Sequence, residues 1–288
     1  MTDDGHVTGT PSTADAGPLL IALDVDGTII DYDEALSERV RAAVRGVVDA
    51  GHHVVVATGR SLPGTLPVLD RLGLVRGWCV CSNGGITLRL DPALPDGYEV
   101  ADMVTFDPGP ALRLLREHLP TALYAVENTG IGFRLTAPFP AGELYGDLQY
   151  VDFEELLDTP ATRVIVRSPE HTPEDFLRII ERVGLHGVSY AVGWTAWLDL
   201  APDGVSKASA LEPVRAELGV PPERTLAVGD GRNDVEMLTW AARAVAMGQA
   251  EPELLAVADE VAAPVEHDGL ADVLEPLTAR VDTPADAR

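Results

Sequence analysis

The chain has 288 residues, 46% hydrophobic and 23% charged, with a formal net charge of −25 from 46 acidic against 21 basic side chains. That composition belongs to an ordinary globular protein long enough for two domains, and its charge repels a nucleic-acid backbone. No apolar run reaches the length needed to span a bilayer, and Met1-Thr2-Asp3-Asp4 lacks the basic opening of a secretory signal, so a cytoplasmic location is expected.

Residues 1–17 are mostly Thr, Asp, Gly, Pro and Ser without apolar periodicity and read as a disordered leader. The apolar run 19–23 reads as a buried strand and ends abruptly in Asp24-Val25-Asp26-Gly27-Thr28. Helical spacing follows over 37–50, with Gly51 as its stop. His52-His53 introduces a β-branched strand, 53–57, that ends in Thr58-Gly59-Arg60. The two histidines read as a surface pair, because a metal site would need a third ligand. A helix over 67–72 and a short strand over 78–81 come next, the strand ending in Ser82-Asn83-Gly84-Gly85. Cys79 and Cys81 are the only cysteines and read as small buried strand residues, since no further ligands surround them. Strand and helix in alternation imply a parallel sheet with crossover helices.

From residue 86 the pattern changes. Segments 86–90 and 98–106 read as a hairpin, 110–119 as a helix, and 123–127 with 132–135 as a strand pair. A strand over 163–167, a helix over 173–183 and more strands over 188–200 around Gly193 follow. Paired strands with helices between them suggest an antiparallel α+β domain. Trp194 and Trp197 lie there and read either as core or hairpin packing or as a substrate platform. The first pattern returns near Gly204, with helices over 206–218, 233–242, 252–258 and 269–277 and strands over 224–228, 244–247 and 260–262. His267-Asp268-Gly269 reads as a turn that can border a site, and 281–288 as a flexible tail. The expected fold is α/β: a parallel-sheet core over 18–85 and 201–280, interrupted by an inserted α+β domain over 86–200.

Four strands end in polar residues: Asp24 and Asp26; Thr58; Asn83; and Gly229-Asp230-Gly231-Arg232-Asn233-Asp234. In a parallel sheet such ends converge on one crevice, and Lys207, after Gly204-Val205-Ser206, can join them from a helix start. Four acids, a hydroxyl, an amide and an ammonium suit phosphoryl transfer. Carboxylates are hard oxygen ligands that hold Mg²⁺, and substrate phosphate completes its shell. Lys207 and Thr58 would meet the phosphoryl oxygens where charge spreads in the transition state. Asp24 would attack phosphorus, while Asp26 would protonate the leaving alcohol and then take a proton from water.

Taken singly, each segment has a plainer reading: a turn or calcium ligand for Asp24-Val25-Asp26-Gly27-Thr28, a cap and turn for Thr58-Gly59-Arg60, a turn for Asn83-Gly84-Gly85. Lys207 alone would be a solvated lysine, although the helix dipole disfavours a cation there, and Asp230-Gly231 a turn before a cap at Asn233. Together the plainer readings require four coincidences in order. Neither a P-loop nor a Gly-x-Gly-x-x-Gly dinucleotide motif is present.

With these residues the chain resembles the haloacid dehalogenase superfamily, in particular its Cof-type phosphatases with a large type IIB cap, over nearly everything from residue 19 to 277. The resemblance implies a Rossmann-like core and a cap that closes on the site. Asp24 and Asp26 match the first motif as nucleophile and acid/base, Thr58 the second and Lys207 the third; Asp230 and Asp234 match the fourth. It further implies Mg²⁺ held by the Asp24 carboxylate, the Asp26 backbone carbonyl and Asp230, with Asp234 a ligand directly or through water. Gly59, Asn83 and Asn233, with Thr58 and Lys207, fall at phosphate- or substrate-binding positions. Asp26 points to phosphoester chemistry, since the ion-pumping relatives carry threonine there and the dehalogenases lack the metal acids. Gly85 in place of a commoner alanine, and the leader, are minor departures. The implied activity is Mg²⁺-dependent hydrolysis of a small phosphomonoester (a sugar phosphate, nucleotide or phosphorylated cofactor) through an aspartyl-phosphate, by a monomer or homodimer. A sugar-phosphate phosphomutase, marked by activation by a bisphosphate, and a non-catalytic phosphometabolite-binding protein are the alternatives.

Overall fold

The computed structural model describes residues 17–192 and 195–279. The expected leader, save its last residue, the tail 281–288, Gly193 and Trp194 lie outside them. In chain order the described elements are β1 (Leu20–Leu23), α1 (Glu38–Asp49), β2 (His53–Ala57), α2 (Leu62–Leu72), β3 (Gly77–Cys81), β4 (Ile86–Leu90) and β5 (Tyr98–Met103). Then come α3 (Gly109–His118), β6 (Leu123–Asn128), β7 (Gly132–Leu135), β8 (Asp147–Tyr150), β9 (Val164–Arg167), α4 (Pro173–Val183), β10 (Val188–Val192) and β11 (Trp197–Pro202). The chain closes with α5 (Lys207–Glu217), β12 (Thr225–Gly229), α6 (Val235–Trp240), β13 (Arg243–Ala246), α7 (Pro252–Leu255), β14 (Glu260–Val261) and α8 (Gly269–Leu274).

The first sheet has the order β14-β13-β12-β1-β2-β3-β4-β5. It is parallel from β14 to β3 and antiparallel over its last two pairs. Alternation along β1 explains why all four of its residues are apolar and buried. Ile21 and Leu23 pack with Val44 and Val47 of α1, Leu69 and Leu72 of α2, and Leu270 and Leu274 of α8. Leu20 and Ala22 face the other way, onto Leu211 and Val214 of α5, Met237 of α6 and Leu254 of α7. The second sheet, β10-β11-β9-β6-β7-β8, is antiparallel except for β7 with β8. One of its faces is sealed by α3 and α4 through Leu112, Leu115, Phe176 and Ile180. The other carries Ala125, Phe133, Ile165 and Trp197.

Several expectations are corrected. The hairpin of β4 and β5, expected to open the inserted domain, hydrogen-bonds onto β3 and extends the first sheet. The pattern change at residue 86 therefore marks a switch from parallel to antiparallel pairing within one sheet, and the second sheet begins only with β6. Helix α2 starts at Leu62 rather than 67, because extended Ser61 stands before it with its carbonyl accepting from Thr65 N at 3.0 Å and Pro63 sits in its first turn, with Pro67 tolerated inside. Strand β8 escapes a reading by apolar pattern because all four of its residues are exposed. His52 is buried rather than superficial: its Nδ1 accepts from Leu19 N at 3.0 Å and its Nε2 lies 3.1 Å from Leu277 O. Cys79 and Cys81 are both fully buried in β3, as expected. Asp268, in left-handed backbone at φ 57, makes the turn into α8. Among the described residues no helix is long and apolar enough to cross a membrane.

Candidate active site

Loops leaving β1, β2, β3 and β12 meet at the carboxyl edge of the first sheet, on either side of β1, where the chain order reverses. After β1 the carbonyl of Val25 accepts from Ile29 N and Ile30 N at 2.9 and 3.0 Å, coiling the loop tightly. Gly27 within it has φ +77, and a Cβ there would lie 2.1 Å from Asp230 Oδ2, so only glycine lets the first and last of these loops touch. After β3, Ser82 and Asn83 both adopt left-handed backbone, at φ 51 and 54. Strain of that kind in non-glycine residues gathers at functional sites. Gly84 follows, and a Cβ there would lie 2.2 Å from Ser206 O. The loop thus abuts the cap of α5, where Ser206 and Ser209 exchange side-chain to backbone bonds. That cap fixes Lys207, the first residue of α5.

Lys207 is fully buried, its Nζ 2.5 Å from Asp24 Oδ1 and 2.7 Å from Asp234 Oδ1. The other oxygen of Asp234 accepts from Asp230 N and Gly231 N at 3.1 and 3.0 Å, so this side chain ties the fourth loop to the lysine. Asp24, Asp230 and Asp234 each offer an oxygen within 4.8 Å of the others. Burial, then the charge of Asp234, raises the Asp24 carboxyl well above its ordinary range, against the pull of Lys207. Burial also pushes Asp230 up, to about 6, although the Tyr32 hydroxyl, 2.5 Å away, opposes the shift. For Lys207, burial favours the neutral amine, but Asp234 and Asp24 together overcome it and hold its pKa above the ordinary lysine value. Three buried carboxylates around one ammonium leave negative charge uncompensated, with an all-oxygen donor set. That fits a hard divalent cation.

The remaining expected residues divide into two groups. Gly59 lies against Asn83 and Asn233, whose amides are joined by a 2.9 Å bond from Asn233 Nδ2 to Asn83 Oδ1. Thr58 is fully buried, and its Oγ1 accepts from Arg60 N at 3.0 Å. Asp26 is half exposed beside them, with both oxygens held by Arg60, through Nε at 3.0 Å and Nη2 at 2.6 Å. Arg60 also reaches Glu34 at 3.2 Å and lies 4.6 Å over the Tyr145 ring. The Tyr145 hydroxyl donates to Glu34, so a residue from between β7 and β8 is anchored on the Asp26 cluster.

Over these loops lies a cavity of about 300 Å³. Its floor includes Asp24, Asp26, Arg60 and Asp230, and its roof Phe133, Glu143, Arg163, Trp197 and Asp199. Trp197 therefore lines the cavity as well as packing edge-on against Phe139 at 6.2 Å. Lys207 and Asn83 instead line an adjoining cavity that shares Asp199 and Asn233 with the first.

Sequence reasoning missed Tyr32, Arg60, Gln249 and the roof apart from Trp197, which it read either as packing or as a substrate platform. Gln249 donates to Gly27 O at 2.6 Å and to Asp230 Oδ2 at 3.3 Å. It had a readable signal, because β13 is a fifth buried apolar strand that ends in polar residues. Tyr32 and the other roof residues had none, being joined to the site only by tertiary contact.

A family model described as haloacid dehalogenase-like hydrolase matches residues 21–93 and 143–274. The chain is 28% identical over 272 residues to a Bacillus subtilis protein that carries the provisional name phosphatase YkrA, covering 90% of this chain and 97% of that one. It is 27% identical over 286 residues to the 5-amino-6-(5-phospho-D-ribitylamino)uracil phosphatase YitU of Bacillus subtilis, with 90% and 97% covered. Among solved structures, the phosphatase BT1666 of Bacteroides thetaiotaomicron superposes with a TM-score of 0.76 at 26% identity, covering 94% of this chain and 99% of that one.

Proposed function

The chain belongs to the haloacid dehalogenase-like hydrolases and is a phosphatase of that family, and from that premise we propose that it hydrolyses a small phosphomonoester through an aspartyl-phosphate on Asp24. A single observation carries most of the weight: one buried ammonium, Lys207, bridges the first-loop and last-loop acids across 183 and 27 residues of sequence.

In this reading Asp24 attacks phosphorus, and the bond from phosphorus to the leaving alcohol breaks as Asp26 gives that oxygen a proton. Asp26 then takes a proton from water, whose oxygen attacks the phosphoryl group and returns the Asp24 carboxylate with release of phosphate. Since Arg60 holds both Asp26 oxygens, that pair has to open before Asp26 can deliver a proton. Lys207 and the Thr58 hydroxyl meet the phosphoryl oxygens, and the Asn83–Asn233 pair with Gly59 borders them. Asp24, Asp230 and the Asp26 backbone carbonyl would hold Mg²⁺, with Asp234 beside it, and the bound ion would neutralise the repulsion between substrate and nucleophile. The second sheet with α3 and α4 acts as the cap, excluding water and selecting the alcohol.

Phosphate release from p-nitrophenyl phosphate with and without Mg²⁺ tests the proposal. Asp24→Asn should lower kcat by at least about a thousandfold, as loss of a covalent nucleophile does, with the circular dichroism spectrum unchanged. Full activity in that variant would remove Asp24 from its role. Activity that depends on an added bisphosphate would favour a mutase.

A further inference from the structure

Among the described residues only Arg60 hydrogen-bonds the half-exposed carboxylate of Asp26. Where that carboxyl points therefore depends on what holds the guanidinium. Arg60 is buried, and its Nη2 serves two carboxylates at once, Asp26 Oδ1 at 2.6 Å and Glu34 Oε1 at 3.2 Å. Its Nη1 lies 3.5 Å from Gly64 O, and the Tyr145 ring covers its face at 4.6 Å.

Glu34 is aimed at this point by its loop. Asp31 Oδ1 accepts from Asp33 N at 3.0 Å and from Ala35 N at 2.7 Å, closing a tight turn. Within it Glu34 takes left-handed backbone at φ 62, a conformation that a glutamate keeps only where its surroundings fix it. Tyr145 completes the seat from the cap side. Its hydroxyl donates to Glu34, and its ring fits against Gly64, where a Cβ would lie 2.8 Å from Cδ2 and 2.9 Å from Cγ. A glycine inside α2 weakens that helix, and its missing side chain makes room for the ring.

This seat bears on proton transfer. Asp26 cannot donate to the leaving oxygen while Arg60 holds both its oxygens, yet a buried guanidinium stripped of its carboxylate is costly. Glu34 offsets that cost, because Nη2 already reaches it and only has to shift its hold. The residues lining the main cavity do not include Glu34, so it acts through Arg60 and not on the substrate.

We propose that Glu34 is a positioning residue for the acid: seated by Tyr145, it receives Arg60 as the Arg60–Asp26 pair opens, freeing the Asp26 carboxyl for the leaving oxygen. The proposal deepens the phosphatase reading above and rests on it. No bond at Glu34 forms or breaks; the proton passes from Asp26 to the departing oxygen as the bond from that oxygen to phosphorus breaks.

The test uses two esters of similar shape, p-nitrophenyl phosphate and phenyl phosphate, with the full chain and Mg²⁺. p-Nitrophenolate departs without a proton, whereas the more basic phenolate needs one. The parameter read is kcat/KM, which covers the steps up to departure of the alcohol and leaves out hydrolysis of the aspartyl-phosphate. In Glu34→Gln the ratio of kcat/KM for p-nitrophenyl phosphate to that for phenyl phosphate should rise at least about tenfold. Tyr145→Phe keeps the ring but loses the bond to Glu34, and should raise the ratio less. Glu34→Asp keeps the carboxylate and tolerates left-handed backbone, so it should bring the ratio part of the way back. In an Asp26→Asn background, where no acid remains to be freed, Glu34→Gln should shift the ratio no further. Glu34 is half exposed, so its ion pair contributes little to stability and the variants keep the fold. An unchanged ratio in Glu34→Gln or Tyr145→Phe, an equal loss on both esters, or a full rise in the Asp26→Asn background would overturn the proposal. If the native protein released phosphate from neither ester, the phosphatase reading would fail; turnover of both with an unchanged ratio in Glu34→Gln would exclude Glu34 alone.

Discussion

Among the described residues Lys207 is the only ammonium in contact with the buried acids, and two of the three carboxylates lie within 2.7 Å of it. Removing one partner of a buried ion pair leaves the other charges uncompensated, a loss of about 3–5 kcal/mol. Lys207→Met keeps most of the stem's volume while deleting the charge, so its unfolding free energy from urea titration should fall by that amount in the metal-free protein. Adding Asp234→Asn should return a sizeable part, because the amide removes one of the repelling charges. A single variant as stable as the native chain would show that the ammonium contributes nothing net. At this scale the site was largely legible. Asp24, Lys207, Asp230 and Asp234 were found because acids after apolar strands, and a lysine at a helix start, contradict their local surroundings. Arg60 was in view within Thr58-Gly59-Arg60, but no local rule says that it would hold Asp26, 34 residues away. Glu143 and Asp199 look like any surface acid until tertiary folding sets them over the crevice.

Elements were legible where an apolar period was long enough to read. The parallel order of β1, β2, β3 and β12 followed from strand–helix alternation, and α1 from its spacing and its Gly51 stop, while Ser37, read as part of the helix, instead caps it, accepting from Val40 N at 3.0 Å. Which sheet an antiparallel hairpin joins is not written in its period, so β4 and β5 were assigned to the wrong one. The same limit hid the work of His52. Its neutral ring joins Leu19, at the start of β1, to Leu277 near the chain's end, accepting from one and donating to the other. Burial, more than the nearby Arg224 and His53, lowers its pKa in the folded state. The neutral form's contribution is therefore present above the unfolded value of about 6.5 and is lost as pH falls through the lower folded value. Between pH 8 and pH 5 the native chain should lose urea midpoint relative to His52→Gln on the acid side of about 6.5, the comparison cancelling the opposite trend from Asp230, which both proteins share. His53, which burial also lowers, keeps some slope in that variant. Identical slopes in the two proteins would free His52 from this role.

Across the whole molecule the net charge of −25 resists compaction, and the acids at the crevice concentrate that resistance at one point. Because burial raises Asp230 to about 6, and Asp24 above the ordinary aspartate range, the native protein without metal binds more protons than the unfolded chain over the interval from about 4 to about 6. Its stability therefore falls as pH rises through that interval. A divalent cation reverses the sign by binding the ionised cluster, and stabilises the fold by about 2.7 kcal/mol at a hundredfold excess over its dissociation constant. For a chain of this length that corresponds to a rise in Tm on the order of 5–10 °C. Sodium chloride at equal ionic strength supplies the screening without the coordination. The rise with Mg²⁺ should accordingly exceed the rise with salt, and should be larger at pH 7.5 than at pH 5, where protons compete for the same oxygens. Asp230→Asn should raise Tm in the metal-free protein and abolish the excess due to Mg²⁺, while the response to salt persists. Equal responses to Mg²⁺ and to salt at pH 7.5 would mean that the three carboxylates gather without holding an ion, and the charge at the crevice would then need another counterpart.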